Sequence, residues 1–237
     1  MSYQQEYQRS MDEPEAFWGE QAARLDWYRQ PSQVLSQDAQ GQYRWFADGE
    51  LNTCYLALDR HVAAGRGEQA ALVFDSAYSG EQRSYSYAAL TDEVARFAGA
   101  MAHLGVVKGD RVLLYMPMVP EAVIAMLACA RLGAIHSVVF GGFAANELKV
   151  RIDDAQPSLI VSASCGIEFG RSIAYKPLLD EAIALAATKP GQCIILQRPE
   201  LAAELVAGRD LSWADAMAAA EPAACVPVAA TDPLYIL

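Results

Sequence analysis

The sequence predicts an α/β protein whose mostly parallel sheet is built from βαβ units and preceded by a helical and irregular extension. Three observations carry that expectation. Arg111 to Phe143 reads as strand, helix, strand and glycine loop. The alternation of short β-branched runs with helical stretches then persists as far as Leu196, which is the pattern of a parallel sheet. Finally, 53% of the 237 residues are hydrophobic, enough for a sizeable core, and no run of about 18 apolar residues suggests a membrane span.

Composition narrows the function classes. A formal net charge of -11 argues against non-specific nucleic-acid binding, because counterion release needs a dense basic face. Any phosphate ligand must therefore meet local positive charge. The five cysteines, Cys54, Cys129, Cys165, Cys193 and Cys225, lack CxxC spacing and read as reduced thiols. The opening residues are polar and acidic, unlike a secretory or mitochondrial leader, so the cytoplasm is the expected location. The length allows one large or two small domains.

In chain order, Tyr3 to Ser10 and Pro14 to Leu25 read as helices, the second opened by Asp12-Glu13-Pro14, with Phe17, Trp18 and Ala22 facing inward. Trp27, Tyr43, Trp45 and Phe46 mark an irregular aromatic segment that wraps over a core. Ala70 to Phe74 and Arg83 to Tyr87 are the arms of a hairpin turning at Ser79-Gly80. Leu90, Val94, Phe97, Met101 and Leu104 share one helix face, and Gly105 ends that helix. His103 and His136 lack acidic or cysteine partners at ligand spacing and read as structural or exposed side chains.

Arg111 to Met116 is a buried strand. Pro120 opens a helix through Leu132, Gly133 stops it, and Ala134 to Val139 is the next strand. Phe140-Gly141-Gly142-Phe143 follows at the carboxyl end of that strand, where ligands of open parallel sheets bind. Glycines there permit close approach to the backbone, although the spacing alone favours a plain tight turn, because a Gly-Gly pair lacks the spacing of a phosphate-binding fingerprint. Ala145 to Asp154 is an amphipathic helix, Leu159 to Ser162 a strand, and Ser164 to Arg171 a second loop on the same edge. Tyr175 to Ala187 is helical and Cys193 to Leu196 a buried strand. Ala202 to Ala207 is ambiguous between helix and loop, Ser212 caps a short helix, Pro222 and Pro227 mark a linker, and Asp232 to Leu237 is an apolar strand.

The wording of YMPMVPEAVIAMLACARLGAIHSVVFGGF closely resembles the short-chain acyl-CoA synthetases, the AMP-forming acetate and propionate CoA ligases. The likeness extends through YQRSMDEPEAFWGEQAARLDW, LNTCYLALDRHV and GVVKGDRV and so covers nearly the whole chain; SCGIEFGR and YKPLLDEA look more like the propionate branch. The resemblance implies that residues 1–70 are the family's N-terminal extension and residues 71–237 the first part of its adenylate-forming domain. With the acetate ligase as the near alternative, it also implies propionate, ATP with Mg2+ and coenzyme A as reactants, with the carboxylate first adenylated and then attacked by the CoA thiol.

By the same resemblance, Phe140, Gly141, Gly142, Glu168, Phe169, Gly170 and Arg171 line the CoA site. The family's loop usually carries an arginine at each end; here Glu168 stands in the first place and Arg171 in the second. Arg171 is thus the expected phosphate contact, since a guanidinium fork suits phosphate, and its alternative is an ordinary salt bridge. In the family, the strand that ends this chain leads into a serine-, threonine- and glycine-rich loop with a lysine that holds ATP phosphates. The expectation is therefore an N-terminal portion, inactive alone and partnered by the remaining C-terminal part of the same enzyme, with no catalytic residue and no metal site of its own. Two readings of other classes are a dinucleotide-binding oxidoreductase, for which no Gly-x-Gly-x-x-Gly opens a helix after a strand, and a non-catalytic binding module on the same fold.

Overall fold

A computed structural model describes residues 2–168, 170–218 and 220–237. The extension begins with helix α1 (Tyr3–Asp12), started by a capping box in which Ser2 and Gln5 satisfy each other's backbone N–H groups, and α2 (Pro14–Ala22). Ala22 is buried as expected, but Trp18 faces outward at 43% exposure and meets Trp45 edge-on, because these helices cover only the flank of the domain. The aromatic stretch does form a small ladder, β1 (Leu35–Gln37) antiparallel to β2 (Tyr43–Trp45). After β3 (Glu50–Leu51), Asn52 accepts from the N–H of Tyr55, and a helical segment winds with wide π turns over Tyr55–Asp59 and Val62–Arg66.

Strands β4 (Ala70–Asp75) and β5 (Gln82–Ser86) form the expected hairpin, with Gly80 in the left-handed region. Ser86 caps α3 (Tyr87–His103). The predicted stripe Leu90, Val94, Phe97 and Met101 is buried, and Phe97 stacks on Trp213. Next come β6 (Arg111–Tyr115), α4 (Pro120–Leu132) with Gly133 as its left-handed stop, β7 (Ile135–Val139), α5 (Ala145–Ala155) and β8 (Leu159–Ala163). The segment expected as an open loop is instead a hairpin, β9 (Cys165–Glu168) against β10 (Arg171–Ala174). Helix α6 (Tyr175–Leu185), β11 (Gln192–Leu196), β12 (Asp210–Ser212), α7 (Trp213–Ala218), β13 (Val228–Ala229) and β14 (Tyr235–Ile236) complete the order. Residues 202 to 207 take no regular form.

The central sheet has six parallel strands in the order β12-β11-β8-β6-β7-β14. Its middle strands are buried on both faces, which explains their unbroken apolar runs. Val112, Leu114, Val161 and Ile194 pack towards α3, α4 and α7, while Leu113, Tyr115, Ile160 and Ile195 pack towards α5 and α6. The Pro222 to Pro227 stretch is no free linker. Ala223 donates its N–H to Ala95 O, Val226 to Arg131 O, and β13 pairs with β3, so the segment is a strap bound across the α3–α4 layer. A Cβ on Gly99 would collide with the strap's Glu221 carbonyl, which fixes glycine there. Among the described residues no helix is long and apolar enough to cross a membrane.

Candidate functional site

All central strands run parallel, so the Phe140 loop after β7 and the β9–β10 hairpin after β8 emerge from the same edge of the sheet. They do not leave neighbouring strands, since β6 lies between β7 and β8. A cleft of about 580 Å3 opens at that edge, and Phe140, Gly141, Ile167, Glu168, Tyr175 and Arg198 lie along it. Met116 to Val119, which follow β6, supply its apolar wall.

The glycine pair is explained by the protein's own side chains. A Cβ on Gly141 would strike the Tyr175 hydroxyl, as would one on Gly166 across the cleft. A Cβ on Gly142 would strike the Glu168 carboxylate, and Gly142 has φ near +86° as well. The sequence argument that these glycines admit a ligand is thus revised: the space is filled by Tyr175 and Glu168, which draw the two loops together. Tyr175 stacks on Tyr115, with centroids 4.8 Å apart. Tyr115 in turn donates to Phe143 O at 3.0 Å, and burial pushes its hydroxyl up to about 12. Burial, followed by the charge of Glu168, raises Tyr175 too, so both phenols stay neutral and serve as donors. Tyr175 OH lies 3.4 Å from Glu168 Oε1.

Phe140 is 73% exposed beside the Phe143 ring. Arg171 is exposed and pairs with Glu168 across the hairpin turn by backbone register. Among the described residues it makes no ion pair. Gly170 has the positive φ of a tight turn. Phe169 lies outside the described residues.

Arg198 was not anticipated from sequence. Its side chain is only 10% exposed, and it donates to Cys165 O and Glu200 Oε1 while its own N–H is held by Ser164 Oγ at 2.9 Å. The available signal was positional, an arginine two residues beyond β11 on the ligand edge. The histidines behave as read: His103 is exposed, and His136 is half-buried with its ring near Tyr235. The cysteines do not all stay apart, because Cys54 and Cys225 converge beside Asp59.

Comparison with known proteins fits this architecture. The family description "AMP-binding enzyme" matches residues 59–237, and "Acetyl-coenzyme A synthetase N-terminus" matches residues 3–57. An uncharacterized protein of Pseudomonas aeruginosa is 60% identical over the whole chain, which covers 38% of that protein. The propionate–CoA ligase of Salmonella typhimurium is 48% identical over 90% of this chain and 34% of its own length. The mitochondrial acyl-CoA synthetase short-chain family member 3 of Rattus norvegicus is 44% identical over 99% of the chain and 35% of its own length. The acetoacetyl-CoA synthetase of Streptomyces lividans superposes with a TM-score of 0.87 at 26% identity, over 100% of this chain and 36% of that one. The chain thus spans little more than a third of the length of the relatives it matches.

Proposed function

The chain belongs to the AMP-binding enzyme family, and from that premise we infer that it is the N-terminal portion of an AMP-forming short-chain acyl-CoA ligase acting on propionate. The observation that carries the reading is the 48% identity to a propionate–CoA ligase across nearly all of the chain, joined to two family loops on one edge of the sheet. Residues 1–70 form the family's extension and residues 71–237 the first part of the adenylate-forming domain, an order supported by the separate family matches over 3–57 and 59–237, whose junction falls before residue 70.

In the complete enzyme the propionate carboxylate attacks the α-phosphate of ATP and pyrophosphate leaves. The CoA thiol then attacks the acyl carbon and AMP leaves. Splitting the reaction turns a carboxylate, a poor electrophile, into an activated acyl group. Residues of this chain take part in the second half. The exposed Arg171 guanidinium meets a CoA phosphate, Phe140 gives an apolar surface, and Gly141, Gly142 and Gly170 hold the two loops in place. The Glu168 carboxylate, docked on Tyr175 and Gly142, keeps the loops together and contacts no phosphate, because like charges would repel. Gly170, at positive φ, makes the turn that presents Arg171.

The 237 residues contain no serine-, threonine- and glycine-rich loop closed by lysine for ATP phosphates. Among the described residues the candidate metal cluster is Cys54, Asp59 and Cys225, whose two sulfurs do not suit Mg2+, an ion that takes oxygen ligands. We place the ATP and Mg2+ sites in the remaining part of the enzyme, and the chain alone is expected to release no pyrophosphate from ATP and propionate. Steady-state kinetics of the full-length enzyme test the site. Arg171→Ala should raise the apparent KM for CoA by about 2- to 10-fold while leaving propionate-dependent pyrophosphate exchange intact, as expected for one charge-assisted contact that water reaches. An unchanged CoA dependence would remove Arg171 from the site. Specificity constants favouring acetate would reassign the branch; one methylene is worth only about 1 to 3 kcal/mol, so both acids should react.

A further inference from the structure

Two cysteines that are 171 positions apart meet under the strap. Cys54 is fully buried at the start of the π-wound helical segment, and Cys225 is half-buried on the strap itself. Their sulfurs and an oxygen of Asp59 all lie within 4.8 Å of one another. Cys54 Sγ is 3.6 Å from Arg131 Nη1, and Cys225 Sγ is 3.6 Å from Asp59 Oδ2. Both oxygens of Asp59 already bind the Arg131 guanidinium, at 2.8 and 2.9 Å. A cation placed there would compete with that fork and face its charge, so the arrangement favours sulfur–sulfur chemistry over metal binding.

We propose that Cys54 and Cys225 form a reversible disulfide site, oxidised by a low-molecular-weight disulfide, which fastens the strap to the helical segment. The two sulfurs, now within 4.8 Å, must close to about 2.05 Å. The half-buried Cys225 reacts first: it loses its proton, its sulfur attacks one sulfur of the small disulfide, and one small thiolate leaves with the electron pair of the broken S–S bond. Cys54 then loses its proton, and its thiolate attacks Cys225 Sγ and expels the second small thiolate. Two protein thiols become one disulfide, and one small disulfide becomes two thiols, a two-electron exchange. Exposure sets the order, since a small disulfide reaches the half-buried Cys225 before the fully buried Cys54. In the reduced pair, hydrogen bonding from Cys225 and then from Arg131 lowers the Cys54 thiol; once Cys225 is capped, the Arg131 contact at 3.6 Å is the one left to favour the Cys54 thiolate. The hydrogen bond to Cys54 and burial hold Cys225 above its range, which makes the first step the slow one.

The strap also carries the chain from α7 to β13 and then to β14, the neighbour of β7. Fastening it ties the extension to the strand edge beside the Phe140 loop. The test equilibrates the full chain with glutathione disulfide, then traps remaining thiols by acid quench, denaturation and alkylation before peptide mass mapping. The expected product is a peptide pair linked through Cys54 and Cys225, with Cys129, Cys165 and Cys193 still alkylated and the link lost on adding dithiothreitol. The oxidised chain should melt about 5 °C or more above the reduced one, since the bridge closes a long loop, and Cys225→Ser should abolish that difference. Cys225 arrested as a glutathione adduct with Cys54 still alkylated would overturn the proposal. So would a stoichiometric zinc ion that survives dialysis and protects both thiols.

Discussion

The latch beneath the strap and the mouth of the cleft are both rich in polar atoms, yet those atoms are used in opposite ways. At the latch the main-chain and charged partners are closed on one another. Asn52, fully buried, donates to the carbonyls of Ala130, Arg131 and Val226 and accepts from Tyr55. Arg131, 7% exposed, forks Asp59 and donates to Ala223 O at 2.6 Å. At the mouth, Arg171 stands exposed without an ion pair among the described residues, and Phe140 shows most of its ring to solvent. Buried polar groups with partners hold a fold together, whereas unpartnered ones at a strand edge are available to a ligand. Removing a group should therefore cost stability at the latch and ligand affinity at the mouth.

The largest expected effect is at the latch. Arg131→Met removes the guanidinium but keeps most of its apolar stem, leaving Asp59 a partly buried charge and freeing the strap carbonyl of Ala223. Breaking one side of such a pair costs about 3 kcal/mol or more. Urea denaturation of the chain should show that loss, with the first structure to go being the strap and its β13–β3 pairing. A loss under about 1 kcal/mol would mean that Asp59 re-solvates freely and that the contrast with the mouth is false.

A smaller effect sharpens the reading of the mouth. Gly141→Ala places a methyl group against the Tyr175 hydroxyl and should cost about 1 to 3 kcal/mol as overpacking. Adding Tyr175→Phe removes the hydroxyl and should recover much of that loss, although Glu168 then loses its neighbour at 3.4 Å. If the double variant is no more stable than Gly141→Ala, the glycine answers to something other than Tyr175, and a role in admitting ligand regains force.

The contrast also explains what could be read from sequence. The β6–α4–β7 unit, the β4–β5 hairpin and the α3 stripe are local patterns with their own stops, Gly133, Gly80 and Gly105, and each formed where the pattern put it. The residues proposed for the CoA site rest on family wording, which marks positions and not contacts. Tyr175 against Gly141, Cys54 against Cys225, and Arg131 against Asp59 join residues 34 to 171 positions apart; no periodicity records such pairings, so the physical reason for the glycines and the strap's attachment emerged only in three dimensions. The outward face of Trp18 was missed for a related reason. Helix α2 carries no strong apolar stripe, so the sequence gives its aromatics no preferred side.

The smallest expected effect falls between the two regions, at His136 on β7. Its Nδ1 is buried without a partner among the described residues. Burial lowers its pKa from the ordinary 6.5, so the folded chain keeps the imidazole neutral after the unfolded chain has begun to bind a proton. The sign follows from linkage: a depressed histidine contributes stability that is complete above the unfolded value, near 6.5, and is lost as pH falls from there towards the folded value. One proton limits the slope to about 1.4 kcal/mol per pH unit. Denaturation midpoints of the chain and of His136→Gln, compared from pH 7 downwards, should diverge in slope below about pH 6.5, with the variant the flatter of the two. Parallel curves would mean that water or Tyr235 already serves the ring, and His136 would then be wired like the latch.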